Sequence, residues 1–390
     1  MFGTKMNVLF ITHHYLNGSS GAVFASRAFI NAVAEIADKT ILLYPYKKGN
    51  EKEFIDCNVN CIPVEYKKSK VFKFFDLLFG RVHRYYDIFE NTLSRNNIDV
   101  VIFDTSIVAF NLIEIARRYN AKVITIHHNY QYEYFCDSTK YPLKPIVLYW
   151  TKRYEEYAVT KSDLNLTLTE QDKLLLAQNY NGGDSSTIKV LGCFDFHKDC
   201  EGILKSPSIE SENKEKSLNF VITASLDAYQ NRISIIPWIE HYYPILKKTL
   251  PKATLTIAGR NPTPEYYTIC KKYGITLIPS PNDINEIICK ADFYLCPMDK
   301  GGGLKLRVLD GLKNGLLVVT HKVSARGYDD FVSQKCMFCY DDEQSFIEAL
   351  RNVVNSNYSK HDILKLYDNI FSFKSGVNRF NKYVMSLLEE

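Results

Sequence analysis

Long apolar runs are missing from this chain of 390 residues. Nowhere do about 18 uncharged apolar residues follow one another, so no membrane-spanning helix is expected. The apolar stretch at residues 8–11 is too short for the core of a signal peptide, which predicts a cytoplasmic protein. With 18 Gly, 13 Pro and 46% hydrophobic residues, the chain also lacks the bias of disordered or collagen-like sequences. We therefore expect it to fold throughout.

Metal and cofactor motifs are also missing. The sequence has no Asp-x-Asp and no His-x-x-x-His, and its Cys-x-x-Cys, Cys336 to Cys339, has no second pair. The ten Cys are scattered, several of them in apolar runs, as is typical of reduced buried thiols. The glycines at 18 and 21 do not form Gly-x-Gly-x-x-Gly, which argues against a dehydrogenase. We expect no metal ion and no cofactor.

The charge is close to balanced, with 48 Lys plus Arg against 44 Asp plus Glu. This excess is too small for a general nucleic-acid binder.

The length is about twice what one hydrophobic core organises, so two domains are expected. A polar, charged stretch predicts the boundary between them. The predicted parts are an N-terminal domain at 1–196, a linker at 197–217, a second domain at 218–372, and a helix at 373–390 that could pack back on the first domain.

Apolar β-branched runs alternate with stretches of helical period in both halves, which predicts α/β domains with parallel sheets. Because ligands of such sheets bind beyond the carboxyl ends of the strands, the loops after the strands are the candidate sites. Predicted strands are 7–12, 40–44, 61–64, 100–104, 122–127, 164–167, 219–224, 253–258, 276–278, 293–297 and 316–320. Predicted helices are 22–37, 107–119, 143–159, 170–179, 233–250, 265–273, 284–290 and 304–314.

A glycine-rich loop, Gly301–Gly303, lies between a predicted strand and a predicted helix. Such a turn exposes backbone N–H groups at the positive end of a helix, where phosphate oxygens bind. Lys305 and Arg307 are predicted in the first turns of that helix, where positive charge is unfavourable unless an anion faces it. Asp310 could accept hydrogen bonds from ribose hydroxyls. The alternative is a glycine turn followed by solvated charges.

Taken together, this segment resembles the glycosyltransferases of the GT-B fold, in particular family 4 (glycosyl transferases group 1). The matching features are the glycine-rich loop, the basic helix start and the run from Gly315 to Thr320, where the family has Gly-x-Pro-Val-Val-x-Thr. The likeness extends to residues 7–33, 161–172 and 218–259. It implies two Rossmann-like domains facing across a cleft, the second binding a nucleotide sugar and the first an acceptor, and transfer with retention.

The resemblance also implies the roles of individual residues. His127, at a predicted strand end, would lie beside the transferred sugar, with His128 as the alternative. The chain departs from the family at Gly302, where a Glu is common, so backbone N–H groups would hold the sugar, and at residues 225–232, where Arg232 is the nearest cation. The predicted catalytic residues are His127, Lys305 and Arg307. The predicted donor contacts are Gly21, Arg232, Gly301, Gly302, Gly303, Leu304, Lys305, Arg307 and Asp310.

Residues 67–86 mix basic and aromatic side chains, with six Lys or Arg against one Asp. Such a segment can lie in a membrane interface, with aromatics at the acyl boundary and cations on anionic head groups. The alternative is a core helix with basic ends. The residues expected on the membrane or acceptor side are Lys67, Lys68, Lys70, Phe72, Lys73 and Phe75.

The sequence therefore predicts a nucleotide-sugar-dependent glycosyltransferase, with an expected role in cell-surface polysaccharide or glycoconjugate synthesis. Its expected partners are the donor, a glycan, lipid-linked or protein acceptor, and an anionic membrane surface at the inner face of the membrane, with no nucleic acid. Two alternatives stay open. One is a nucleotide-sugar epimerase of similar fold, and the other is a catalytically silent binding partner, which the missing Glu at position 302 keeps open.

Overall fold

The computed structural model describes residues 6–18, 20–46, 55–65, 70–80, 85–195 and 218–389. The chain divides into two compact units, one formed by Met1–Cys200 with Phe371–Glu390 and the other by Glu201–Ile370. These bounds lie within a few residues of the predicted limits at 196 and 372. The predicted linker at 197–217 lies outside the described residues.

The first unit is an α/β domain whose described strands form one parallel sheet in the order β3-β2-β1-β4-β5-β6-β7. Its strands are β1 (Asn7–Thr12), β2 (Lys39–Pro45), β3 (Val59–Val64), β4 (Val100–Asp104), β5 (Lys122–His127), β6 (Leu164–Thr167) and β7 (Ile188–Val190). Its helices are α1 (Gly21–Ile36), α2 (Lys70–Leu78), α3 (Tyr86–Arg95), α4 (Ser106–Ala109), α5 (Ile113–Arg118), α6 (Gln131–Ser138), α7 (Lys144–Lys161), α8 (Glu170–Tyr180) and the C-terminal α16 (Phe373–Glu389).

The central strands of this sheet are buried on both faces. Every residue of β4, VVIFD, is buried, and so is every residue of β1 and β5 after the first. Such continuous apolar runs are typical of parallel strands covered by helices on both sides. The sequence pattern identified these strands because burial on both faces selects β-branched and aromatic residues along the whole strand.

The C-terminal helix α16 packs in the first unit. Its Phe380 ring lies 6.4 Å from the ring of Phe29 on α1. Gly376 allows a close approach, since a Cβ there would lie 2.0 Å from Cγ of Phe194. Arg379 donates from Nε to the carbonyl oxygen of Leu191 at 2.9 Å. The chain thus returns to its first unit through its last helix.

The second unit is also an α/β domain with a parallel sheet, in the order β10-β9-β8-β11-β12-β13. Together the two units confirm the predicted class, α/β with two Rossmann-like domains. The strands are β8 (Asn219–Ser225), β9 (Thr254–Arg260), β10 (Thr276–Pro279), β11 (Phe293–Cys296), β12 (Leu317–His321) and β13 (Met337–Tyr340). The helices are α9 (Tyr229–Thr249), α10 (Pro264–Tyr273), α11 (Asn285–Ile288), α12 (Arg307–Lys313), α13 (Asp329–Ser333), α14 (Glu343–Val354) and α15 (Lys360–Phe371).

Several predicted helices differ from the observed ones in length. The helix predicted at 107–119 is two short helices, α4 and α5, and Asn111 between them has a left-handed φ of 63°. The helix predicted at 304–314 begins only at Arg307, after Gly303 with a φ of 70°. Left-handed residues interrupt a right-handed helix, and side-chain periodicity does not reveal them. Among the described residues, no helix is both long and apolar enough to cross a membrane.

Candidate functional site

Each sheet has one place where the strand order reverses. In the first unit it lies between β1 and β4, and in the second between β8 and β11. The loops at the carboxyl ends of such strands form the ligand sites of open α/β sheets. The glycine-rich loop of the sequence follows β11, and four of the nine His of the chain follow or end β1 and β5. Each unit therefore has one candidate site.

In the second unit the glycine-rich loop has a backbone that requires glycine at two of its three positions. Gly301 and Gly303 have φ of 83° and 70°, whereas Gly302 is not among the positive-φ residues. Lys305 closes the loop, because its Nζ donates to the carbonyl oxygens of Gly301 at 2.7 Å and Gly302 at 3.0 Å. The prediction that Lys305 lies in the first helical turn is wrong, since α12 begins two residues later.

Arg307 and Asp310 face each other on α12. The Arg307 Nη1 lies 3.4 Å from Asp310 Oδ2, and both side chains are about one-third exposed, at 37% and 33%. Thr223, near the end of β8, donates weakly to the same carboxylate at 3.5 Å and shares a 2.6 Å hydrogen bond with Tyr294. Burial raises the pKa of Asp310, and the Arg307 charge opposes that shift. The pair thus presents one cation and one carboxylate beside the loop.

Gly311 lets α12 approach the sheet closely. A Cβ at this position would lie 2.5 Å from Cγ of Tyr294 on β11. This explains why Gly stands here, next to Asp310, in a helix that it would otherwise weaken. Tyr328 further fixes the loop by donating from its hydroxyl to the carbonyl oxygen of Lys305 at 2.9 Å.

The other predicted donor residues belong to other elements. Arg232 is on α9, where its Nε is 3.6 Å from Glu265 Oε2. Helix α9 is tied to the loop by Ser234, which donates to Asp299 Oδ1 at 2.7 Å. Gly21 is in the first unit, as the first residue of α1. The structure therefore brings together Gly301, Gly302, Gly303, Leu304, Lys305, Arg307 and Asp310, but it does not place Gly21 in the same unit as them.

In the first unit the strand ends meet in a buried polar cluster around Asp104, which we call the Asp104 cluster. The Asp104 side chain is fully buried. Its Oδ1 lies 2.5 Å from His128 Nε2. Its Oδ2 accepts hydrogen bonds from Thr12 Oγ1 and Ser26 Oγ, each at 2.6 Å. His14 joins the cluster through its backbone N–H, which donates to Thr12 Oγ1 at 3.1 Å. The members are Thr12, His14, Ser26, Asp104 and His128.

The cluster holds an ionised carboxylate, that of Asp104, and a neutral imidazole, that of His14. Burial opposes ionisation of Asp104, but the charge and hydrogen bond of His128 outweigh it and lower the carboxyl pKa. Burial, together with the neighbouring His13, lowers the pKa of His14 to about 3. An ionised buried carboxylate is stable only where donors surround it, as they do here. His14, Asp104 and His128 each offer a ligand atom within 4.8 Å of the others, so they could hold a metal ion.

The backbone next to this cluster is strained. Thr105, directly after Asp104, has a φ of 115°, which is unusual for a β-branched residue. Its hydroxyl lies 3.1 Å from His13 Nδ1. Strain of this kind is often found at functional sites. An open cavity of about 610 Å³ adjoins the same edge, lined by His13, His14, Tyr15, Asn17, Gly18, Ser20 and Val23.

The two adjacent histidines have different surroundings. His127 is only 1% exposed, and its Nε2 is hydrogen-bonded to Asn165 Oδ1 of β6 at 3.0 Å. Burial lowers the pKa of His127 to about 4. His128, the alternative weighed from the sequence, is the one that joins Asp104. Sequence reasoning missed Thr12, His14, Ser26 and Asp104. The only available signal was that three of them end or follow strands β1 and β4.

The segment at residues 67–86 is partly described. Lys67 and Lys68 lie outside the described residues, as do the side chains of Lys70, Phe72 and Lys73. Phe75, on α2, is 46% exposed. Four other apolar side chains of the segment, Val71, Phe74, Leu78 and Phe79, are exposed too. These five side chains thus face away from the core, whereas Tyr85, near the end of the segment, is buried. The segment is anchored by Trp150, whose indole N–H donates to the carbonyl oxygen of Leu78 at 3.2 Å.

Part of the second unit matches a family model. Residues 219–356 match the family model described as glycosyl transferases group 1. The match includes the glycine-rich loop and α12, and it confirms the predicted resemblance to that group. A protein of Klebsiella pneumoniae, described as an uncharacterized 44.6 kDa protein in cps region, is 24% identical over 163 residues, which are 40% of this chain and 41% of that protein.

Solved structures share the fold over nearly the whole chain. A glycosyltransferase from Rickettsia africae covers 99% of each chain, with 12% identity and a TM-score of 0.69. HepE of Anabaena in complex with UDP covers 98% of this chain and 100% of its own, with 11% identity and a TM-score of 0.67. WaaG, a glycosyltransferase involved in lipopolysaccharide biosynthesis, covers 96% and 99%, with 14% identity and a TM-score of 0.64. The predicted GT-B fold is confirmed.

Proposed function

We propose that the protein transfers a sugar from a nucleotide-sugar donor to an acceptor. The observation that carries this proposal is the glycine-rich, basic loop after β11, which lies at the strand reversal of the second unit and inside the segment matched by the group 1 model. Support comes from HepE, which has the same fold and holds UDP. Uridine diphosphate sugars are therefore the first donors to test.

In this proposal the loop and α12 bind the donor. Lys305 and Arg307 neutralise the diphosphate, and Asp310 accepts hydrogen bonds from the ribose. Charge develops on the diphosphate as the glycosidic bond breaks, and preorganised cations stabilise that charge more in the transition state than in the bound donor. Lys305 already bridges two loop carbonyls, so it serves both to shape the loop and to place a positive charge there. No metal is proposed for this step.

His127 takes a positioning role in the proposal. The resemblance implies that His127 lies beside the transferred sugar. Its side chain is buried, and its hydrogen bond to Asn165 links β5 to β6, so we assign it a positioning role. The backbone that follows it includes His128 and leads into α6. Asn165 in turn donates to the carbonyl oxygen of Val159 at 3.1 Å, which extends the bracing to α7. Retention of configuration is proposed from the family resemblance alone.

The acceptor is proposed to bind the first unit. The cavity beside His14 is lined by hydroxyl, amide and imidazole groups, which suit the hydroxyls of a glycan. The exposed aromatic residues of α2, with the basic residues of the segment, are proposed to contact the head groups of an anionic membrane that carries a lipid-linked acceptor. A role in cell-surface glycan synthesis is supported by the likeness to the Klebsiella protein of a cps region and to WaaG.

The direct test of donor binding is a thermal-shift screen of nucleotide sugars on the full chain. A ligand present at about 100 times its Kd adds roughly 2.7 kcal/mol to the free energy of unfolding, which is enough to detect. We expect one class of donor to raise the melting temperature of the wild type and not of Arg307→Ala. If no nucleotide or nucleotide sugar shifted the wild type, the proposal would fail.

A further inference from the structure

The Asp104 cluster contains two histidines and one aspartate that have no role in the proposed donor binding. We propose that His14, Asp104 and His128 bind one divalent transition-metal ion of the zinc type. The three residues come from the carboxyl ends of β1, β4 and β5, and their ligand atoms lie within 4.8 Å of one another. The proposal is independent of the transferase function, and the measurement that tests it does not depend on activity.

The chemistry of the three side chains selects the kind of ion. Two imidazoles and one carboxylate suit Zn²⁺ and its neighbours among the first-row metals, whereas Mg²⁺ and Ca²⁺ prefer oxygen ligands alone. Zinc sites with three protein ligands keep a fourth position for water or another small ligand. Asp104 ends β4, and His14 and His128 follow β1 and β5 by at most two residues, so the sheet brings the three side chains together without the metal.

Two observations indicate that the cluster is prepared for a cation. The first is the Nε2 of His14, which is buried and has no hydrogen-bond partner. A buried nitrogen without a partner is costly, and a metal ion would satisfy it. The second is the orientation of the Asp104 carboxylate. The Asp104 oxygen Oδ2 is already occupied by Thr12 and Ser26, which orients the carboxylate and leaves Oδ1 on the side of His128. Metal-binding carboxylates are commonly held by outer hydrogen bonds of this kind.

Binding requires a small rearrangement. The Oδ1 of Asp104 and the Nε2 of His128 are hydrogen-bonded at 2.5 Å. Two ligand atoms of one tetrahedral zinc ion are about 3.3 Å apart, given bonds of about 2.0–2.1 Å. The side chains therefore separate by less than about 1 Å. The ion takes the place of the proton on Nε2, which moves to Nδ1 of the same ring or, from an imidazolium, to solvent.

The test uses the full chain, freed of metal by dialysis against a chelator in the presence of a phosphine reductant. Titration with Co²⁺ is followed by absorption, and titration with Zn²⁺ by calorimetry. We expect one ion per chain, with the visible bands of four-coordinate Co²⁺ and without the near-ultraviolet charge-transfer band of thiolate ligands. The absence of that band matters because the described residues include free cysteines, among them the exposed Cys57 and Cys289.

Variants connect the binding to the cluster. His14→Ala and His128→Ala each remove a ligand, and we expect affinity to fall by at least about 10²-fold, more than the loss for an outer partner. Ser26→Ala removes only an outer hydrogen bond and should weaken binding by about 10- to 100-fold. His241→Ala is the control, because His241 is a surface residue paired with Glu343 in the other unit. Circular dichroism confirms that each variant is folded.

Three results would overturn the proposal. If the wild type binds no Co²⁺ or Zn²⁺ at micromolar concentration, the cluster is only a hydrogen-bonded network. If the bound Co²⁺ shows a thiolate band, or if His14→Ala and His128→Ala both bind as tightly as His241→Ala, the ion lies elsewhere.

Discussion

Asp104 and His128 are 24 residues apart in the chain, and their side chains meet at 2.5 Å. They meet because β4 and β5 are neighbouring parallel strands in which Asp104 pairs with Ile126, so both chains leave the sheet at the same edge. Thr12 reaches the same carboxylate from β1, on the other side of β4. One buried carboxylate thus joins the ends of three strands.

Replacing Asp104 by Asn should destabilise the first unit. Removing one partner from a buried, hydrogen-bonded charge pair typically costs about 3–5 kcal/mol. Because the folded-state pKa of Asp104 is lowered from its ordinary value of 3.8, its contribution is present above that value and is lost as the pH falls. The gap in melting temperature between wild type and Asp104→Asn should therefore be large at pH 7 and narrow below about pH 4.

Melting followed by circular dichroism from pH 7 to pH 3 measures this gap. Asp137→Asn is the control, because Asp137 is exposed and should change little at any pH. A gap that stayed constant with pH would mean that the charge of Asp104 is not what stabilises the fold.

The glycine-rich loop should tolerate a side chain at only one of its three glycines. Gly301→Ala and Gly303→Ala place a Cβ on a left-handed residue, which costs about 1–2 kcal/mol. Gly302→Ala meets no such strain and is the matched control. We expect the first two variants to lose melting temperature in the absence of donor, and the third to keep the melting temperature of the wild type. Equal losses of melting temperature in all three would contradict the loop geometry.

Lys305 and Arg307 should be needed for turnover. Lys305→Ala and Arg307→Ala should each lower kcat by roughly 10² or more, the scale seen when a preorganised electrostatic group is lost. Lys290→Ala, which removes an exposed cation elsewhere in the same unit, is the control and should behave like the wild type. Near-normal rates for both loop variants, with the fold intact, would remove these residues from the donor site.

The segment at residues 67–86 should bind anionic membranes weakly. Each engaged Lys or Arg contributes about 1 kcal/mol near an anionic surface, so four would give roughly 4 kcal/mol, and salt would weaken the attachment. Phe74, Phe75 and Phe79 are 49%, 46% and 52% exposed and are available for insertion. We expect co-sedimentation with anionic vesicles at low salt, and little with neutral vesicles.

The variants for this test change Lys67, Lys68, Lys70 and Lys73 to Glu, or the three phenylalanines to Ser. Tyr267→Ser is the control, since Tyr267 is an aromatic residue of the second unit with 52% exposure. Equal binding to anionic and neutral vesicles would mean that charge does not drive the attachment, and no binding at low salt would point to an acceptor that is not membrane-bound.

The sequence was sufficient to predict the α/β class and most of the strands, because burial on both faces leaves a continuous apolar pattern in β1, β4 and β5. It did not predict where α12 begins, since the conformations of Gly301 and Gly303 depend on φ and not on side-chain pattern. It also did not predict the Asp104 cluster. Its members are distant in the chain, and only the strand order β1-β4-β5 brings them together.

The loop residues were accessible because they lie within one short stretch of chain. Gly301, Lys305 and Arg307 were identified by spacing and resemblance; in the structure Lys305 donates to the carbonyl oxygen of Gly301, and Arg307 begins α12. The bridging of two carbonyl oxygens by Lys305 was not accessible, because it depends on how the loop folds back on itself. The sequence could not decide between His127 and His128. Neighbouring side chains at a strand end point to opposite sides, and the sequence does not show which side faces the site.

The most direct test of the proposed transfer is nucleotide release from the donor found by the thermal-shift screen, measured by chromatography with and without a panel of glycan and lipid-linked acceptors. We predict that nucleotide diphosphate and a glycosylated acceptor appear together in equal amounts, only when both substrates are present, and that Arg307→Ala lowers the rate of both by roughly 10² or more. Conversion of the donor in the absence of any acceptor would indicate an epimerase. Donor binding with no product across the whole panel would indicate a silent binding protein, and either result would contradict the proposed function.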